Sequence, residues 1–166
     1  MPNRPAPVGL NVFDYSKIWL VLFIRYNRIM KICSACLLGI NCRYNGELKP
    51  NQKVIELAKH ETLIPICPEQ LGGLPTPREA CEQKGEEVFS KTGKNLTILF
   101  KNGAIEVLKI IKLFKVKEAI LKKNSPSCGC GKIYNGEFNG TIINGDGVLT
   151  KLLKKNGIKV ISEEEL

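Results

Sequence analysis

Cys36, Cys67 and Cys128 each follow a short apolar run, at residues 31–35, 63–66 and 118–122, and that recurrence constrains the fold more than any other feature. Apolar runs of this length read as strands, and the stretches between them carry helical periods. Pro50 and Asn51 open a short helix with Val54, Ile55 and Ala58 on one face. Residues 97–113 form the longest helix, where Leu96, Phe100, Ala104, Val107 and Ile111 make an apolar stripe. Gly103 inside it costs about 1 kcal/mol against Ala, which a close approach of helix to strand would justify. A small strand at 87–91, a last helix at 147–155 and a final strand at 159–162 complete the series. This alternation predicts an α/β domain with a mainly parallel sheet flanked by helices.

A chain of 166 residues holds one such domain. It is expected over residues 30–166, with residues 1–29 as an N-terminal extension, either an extra strand or a poorly ordered arm, and with Met30 as an alternative start. The apolar run at 18–24 in that extension is far below the roughly 20 residues that cross a membrane, and it lacks the pattern of a cleaved secretory signal. Seven cysteines, an odd number, then point to a reducing compartment and a cytoplasmic protein.

Ligands of open parallel sheets bind at the carboxyl ends of the strands, where loops converge. Cys36, Cys67 and Cys128 therefore meet in one pocket although 31 and 61 residues separate them. A single buried cysteine is an ordinary core residue. Three in the same topological position, each beside a turn residue or a proline, argue for a shared metal or cluster site. Thiolates suit zinc or iron–sulfur clusters. Closed zinc sites typically pair two C-x2-C knuckles, whereas Cys33 and Cys36 have only the C-x-C of Cys128 and Cys130 opposite them. Three dispersed thiolates leave one coordination position open.

Three motifs in order carry a family resemblance. They are Ser34-Ala35-Cys36-Leu37-Leu38-Gly39 with Asn41-Cys42-Arg43-Tyr44-Asn45-Gly46; Pro65-Ile66-Cys67-Pro68-Glu69-Gln70-Leu71-Gly72-Gly73 with Pro75-Thr76-Pro77-Arg78; and Ser125-Pro126-Ser127-Cys128-Gly129 with Ile133-Tyr134-Asn135-Gly136. Over residues 30–164 the chain resembles the DUF523 family, whose members include thiouracil desulfidases. The resemblance implies a Rossmann-like α/β fold and a 4Fe-4S cluster on Cys36, Cys67 and Cys128. The iron without a protein thiolate would take the sulfur of a thiolated pyrimidine, releasing the oxo-pyrimidine and hydrogen sulfide with no net redox change.

Water must be activated for such a reaction, and Glu69, two residues after Cys67, is the nearest motif carboxylate and the expected general base. Its other reading is an ion pair with Arg78. Ser34, Ser125 and Ser127 are expected to donate hydrogen bonds to cluster or substrate, and Asn41 to contact the ring edge; equally, the two serines around Pro126 shape a turn. Cys42 is left between a cluster-proximal role and packing. Cys33 is expected in the core, with Cys81 and Cys130 in packing or surface positions. His60, the sole histidine, reads as an exposed helix-end residue. Asn45, Asn95 and Asn135 stand where family motifs often read Asp, which serves equally well if they cap turns.

The net charge of +9 raises local anion concentration. Residues 101–123 contain seven Lys and two Glu, but most lie between apolar helix positions, as on a solvated face. No stacking-aromatic RNA motif accompanies them, so a small thiopyrimidine is preferred over a thiolated tRNA. Two competing functions remain: a non-enzymatic metal-binding module docking RNA or a protein, and a sulfur-transfer enzyme.

Overall fold

The computed structural model describes residues 30–166. The expectations for residues 1–29 lie outside the described residues. The described chain is an α/β domain whose central sheet has four parallel strands in the order β2-β1-β5-β8, flanked by helices as predicted. These strands are β1 (Met30–Ser34), β2 (Thr62–Ile66), β5 (Glu118–Leu121) and β8 (Lys159–Ser162). Cys33 pairs with Pro65 on one side and Ile120 on the other, and Leu121 pairs with Ser162.

Successive strand residues face opposite sides, and the core follows that period. Ile32, Ala119 and Leu121 pack against Ala104, Val107 and Ile111 of helix α3 (Thr97–Phe114) and Leu149 and Leu153 of α4 (Val148–Lys155). Cys33 and Ile120 pack on the other face with Val54 of α1 (Gln52–His60). Asn51 caps α1, its Oδ1 accepting from the Lys53 and Val54 amides at 3.0 and 3.2 Å, an arrangement worth about 1 kcal/mol.

Three features depart from the sequence reading. The first strand stops at Ser34, one residue short of the run at 31–35, and Ala35–Leu38 form a 3-10 turn closed by Gly39 in the left-handed region at φ 81. Of the strands in two hairpins only the one at 87–91 was expected: it is β4 (Glu87–Ser90), paired with β3 (Cys81–Lys84), while β6 (Lys132–Tyr134) pairs with β7 (Ile142–Asn144). Gly103 serves a helix-to-helix approach rather than a helix-to-strand one. A Cβ there would lie 1.8 Å from the Pro68 carbonyl oxygen of the short helix α2 (Pro68–Leu71), and one on Gly72 would lie 2.1 Å from the Leu99 oxygen.

Candidate metal centre at the sheet switch point

The strand order turns at β1: one crossover leads from it to β2 and the next strand added to the sheet, β5, lies on its other side. Such a switch point leaves a crevice beyond the strand ends. A cavity of about 260 Å³ fills that place, at the small end of the range for small-molecule sites. Cys36, Cys67 and Cys128 all line it. Cys36 sits in the 3-10 turn after β1, Cys67 is the N-cap of α2 directly after β2, and Cys128 follows the turn after β5.

Each loop is held by bonds that its sequence dictates. The Ser125 Oγ accepts from the amides of Ser127 at 3.1 Å and Cys128 at 3.0 Å, which folds the turn around Pro126. The first N–H groups of a helix lack partners within it; those of Val148 and Leu149 in α4 donate to the carbonyls of Pro126 and Ser127, both at 2.9 Å. The Thr150 hydroxyl donates to the Cys128 carbonyl at 2.9 Å. Ser34 Oγ accepts from the Lys122 amide at 3.0 Å, tying the end of β1 to that of β5.

The expected site residues separate into two groups. Ser34, Glu69 and Ser125 line the pocket with the three cysteines. Ser127 and Asn41 do not: Ser127 is fully buried with an Oγ that has no partner, and Asn41 is exposed. Glu69 makes the ion pair with Arg78. Its Oε2 accepts from Arg78 Nε at 2.8 Å and from Nη2 at 2.6 Å, with the arginine side chain only 6% exposed. Arg78 also donates to the carbonyls of Cys42 and Pro75 and to the Thr76 hydroxyl. It thereby joins the three segments that form the mouth.

Arg43, Tyr44, Lys49 and Tyr134 line the pocket too. Sequence reasoning passed over them, although Arg43, Tyr44 and Tyr134 stand inside the motif stretches quoted above. Lys122 and Lys123 complete a basic rim, each paired with a carboxylate, Glu163 and Glu164 respectively.

Asn45, Asn95 and Asn135 cap turns: their Oδ1 atoms accept from the amides of Glu47, Thr97 and Glu137. None lines the pocket. The amides of Asn45 and Asn95 further donate to Glu47 and Glu87, which Asp would repel. His60 ends α1, exposed and 3.7 Å from Glu56.

The thiols of Cys42, Cys67 and Cys128 are held protonated by their surroundings. Burial pushes Cys128 well above the ordinary thiol range, opposed by Ser34 and Ser125 beside it. Cys67 is raised first by the neighbouring Cys42 thiol and then by burial. Cys42 is pushed up to about 11, foremost by Cys36. A metal must displace those protons to bind. No three His, Cys, Asp or Glu side chains among the described residues form a group able to hold a single metal ion. Thiols at three strand ends of one pocket are soft donors of the kind that suit zinc or an iron–sulfur cluster.

A family model described as 2-thiouracil desulfurase matches residues 32–165. The uncharacterized protein YbbK of Bacillus subtilis (strain 168) is 44% identical, over 82% of this chain and 97% of its own length. The solved structure of a 4Fe-4S-dependent thiouracil desulfidase, TudS (DUF523Vcz), superposes with a TM-score of 0.80 at 41% identity, covering 84% of this chain and 93% of that one. With pocket, fold and motifs in agreement along nearly the whole described domain, the chain belongs to the 2-thiouracil desulfurase family.

Proposed function

We propose that the protein removes sulfur from a thiolated, thiouracil-like pyrimidine in a reaction dependent on a 4Fe-4S cluster held by Cys36, Cys67 and Cys128. The products are the oxo-pyrimidine and hydrogen sulfide. The observation that carries this reading is the convergence of those three cysteines on one small cavity at the switch point. When bound, the cluster supplies an iron free of protein thiolate, a Lewis acid for the sulfur of the substrate.

The chain's own residues do the rest. Arg78 holds Glu69 through Oε2, and no described residue engages Oε1, which is placed to take a proton from water. The water oxygen adds to the ring carbon that bears sulfur, and the carbon–sulfur bond breaks. The sulfur departs with the protons of that water as hydrogen sulfide, so no electrons are gained or lost. Ser34 and Ser125 stand beside Cys128 and polarise its sulfur. The basic rim offsets the negative charge that three thiolates bring to the pocket.

The substrate we favour is a free base or nucleoside. Of the basic residues on the helices, Lys109, Lys151 and Lys154 are paired with Glu106, Glu86 and Asp146, which weakens any phosphate-binding face. The cysteines are all free, as in a reducing cytoplasm, and no helix among the described residues is long and apolar enough to cross a membrane.

Anaerobic reconstitution followed by a panel of thiopyrimidines tests the reading. The loaded protein should be brown, carry about four irons per chain and release sulfide without an added acceptor. Single Cys→Ser changes at 36, 67 and 128 should abolish both iron and turnover, while Cys33→Ser and Cys81→Ser keep them. Stoichiometric zinc with no iron would favour a metal-binding module instead, and sulfide release that required an acceptor would favour sulfur transfer.

A further inference from the structure

Cys42 shares the pocket with the three cysteines above and has no part in their assignment. It is 2% exposed and lies in the core group that contains Cys36 and Leu37, with Cys67 packed against it. Its thiol lies beside those of both Cys36 and Cys67. Its carbonyl accepts from Cys67 Sγ at 3.7 Å and from Arg78 Nη2 at 3.0 Å. The backbone is thus fixed by the same arginine that grips Glu69, and the side chain is buried. The remaining cysteines are engaged elsewhere: Cys33 with the Ser34 carbonyl, Cys81 with that of Glu79 and Cys130 with that of Val160.

Packing alone does not require sulfur at position 42. An apolar side chain of similar volume would fill the same space. What a thiol adds is a weak S–H donor. Resting on the cluster reading above, we propose that Cys42 is a positioning residue for the cluster, a thiol whose single S–H is shared between the sulfurs of Cys36 and Cys67. Hydrogen bonds to ligand sulfurs withdraw electron density from them, favour the reduced cluster over the oxidised one and so raise the reduction potential. A cluster at higher potential gives up electrons to oxygen less readily. Cys42 therefore protects the site during handling of a reaction that itself moves no electrons.

The test compares wild type with Cys42→Ser, Cys42→Ala and Cys42→Val, each reconstituted anaerobically and checked for native circular dichroism. Iron content, reduction potential from a titration followed by electron paramagnetic resonance, and the rate of bleaching in air are measured on each. All four proteins should hold the same iron. The potential should shift downward and bleaching accelerate in Cys42→Ala and in the volume-matched Cys42→Val, with Cys42→Ser, which keeps a donor, restored toward wild type. Equal potentials in all four would overturn the proposal. So would loss of iron from both Cys42→Ala and Cys42→Val while wild type is loaded, because Cys42 would then be a ligand. Absence of iron from wild type itself would instead remove the cluster reading, and this inference with it.

Discussion

The backbone contact between α2 and α3 offers a direct check on how the fold positions the site, through Gly103→Ala. In isolation the change should stabilise a helix interior by about 1 kcal/mol. Here the new Cβ would stand 1.8 Å from the Pro68 oxygen, 2.8 Å from its carbonyl carbon and 3.1 Å from the Gly72 nitrogen. All three are backbone atoms, so no flexible side chain can give way. Restoring ordinary contact requires the helices to separate by roughly 1.5 Å. Overpacking of this kind costs about 1–3 kcal/mol, and a clash with rigid backbone belongs at or beyond the top of that range. The net expectation is a loss of about 2 kcal/mol or more despite the better helix former. Because Cys67 caps α2 and Glu69 lies on it, the same displacement moves a proposed ligand and the proposed base. Urea unfolding followed by circular dichroism should show a lower midpoint, and reconstituted protein should hold less iron. Gly72→Ala, which meets the Leu99 oxygen at 2.1 Å, should behave alike. A Gly103→Ala protein as stable as its parent and fully loaded with iron would refute the reasoning.

Glu69→Gln should retain the cluster and lose about 10²- to 10⁴-fold in turnover, and unchanged sulfide release would remove Glu69 from the mechanism. Arg78→Met leaves a largely buried carboxylate without its partner, so unfolding should be easier by about 3 kcal/mol, measured against urea. Glu118 is held below the usual carboxylate range by Lys31 and then Lys159. A depressed carboxylate contributes stability above its unfolded pKa of about 4.3 and loses it as pH falls through the folded value. Lys31→Met should therefore be less stable than its parent at pH 7, by up to about 1 kcal/mol, and the gap should narrow in acid. Any acid loss of metal affects both proteins equally, and a gap that widened on acidification would contradict the assignment.

The four sheet strands were legible because each carries a short apolar run, and α1, α3 and α4 because their apolar positions recur at helical spacing. Apart from β4, the hairpin strands escaped because they lack such a pattern. Cys81–Lys84 reads Cys-Glu-Gln-Lys, yet Glu82 is buried because its carboxylate accepts from the amides of Gly136 and Phe138, a partner more than fifty positions away. Tertiary pairing of that kind leaves no local periodicity. The site shows the same division. Cys36, Cys67 and Cys128 could be placed from strand ends and family motifs taken together, and Glu69 with Arg78 from their proximity in a motif. Ser127 and Asn41 could not, since which side of a turn faces the cavity depends on how α4 and the 3-10 turn dock. The neighbourhood of Cys42 was likewise undecidable until the loops were closed over one another.

Pro65 lies within β2, two residues before Cys67, and among the described residues β2 is an outer strand of the sheet. Parallel strands with a bare outer rim invite recruitment of a second chain, above all in proteins that fold before their inorganic group arrives. An imide nitrogen carries no proton to offer a newcomer, and Pro65 is exposed. The strand that delivers Cys67 thus offers one backbone donor fewer to a templated fibril or a swapped pair.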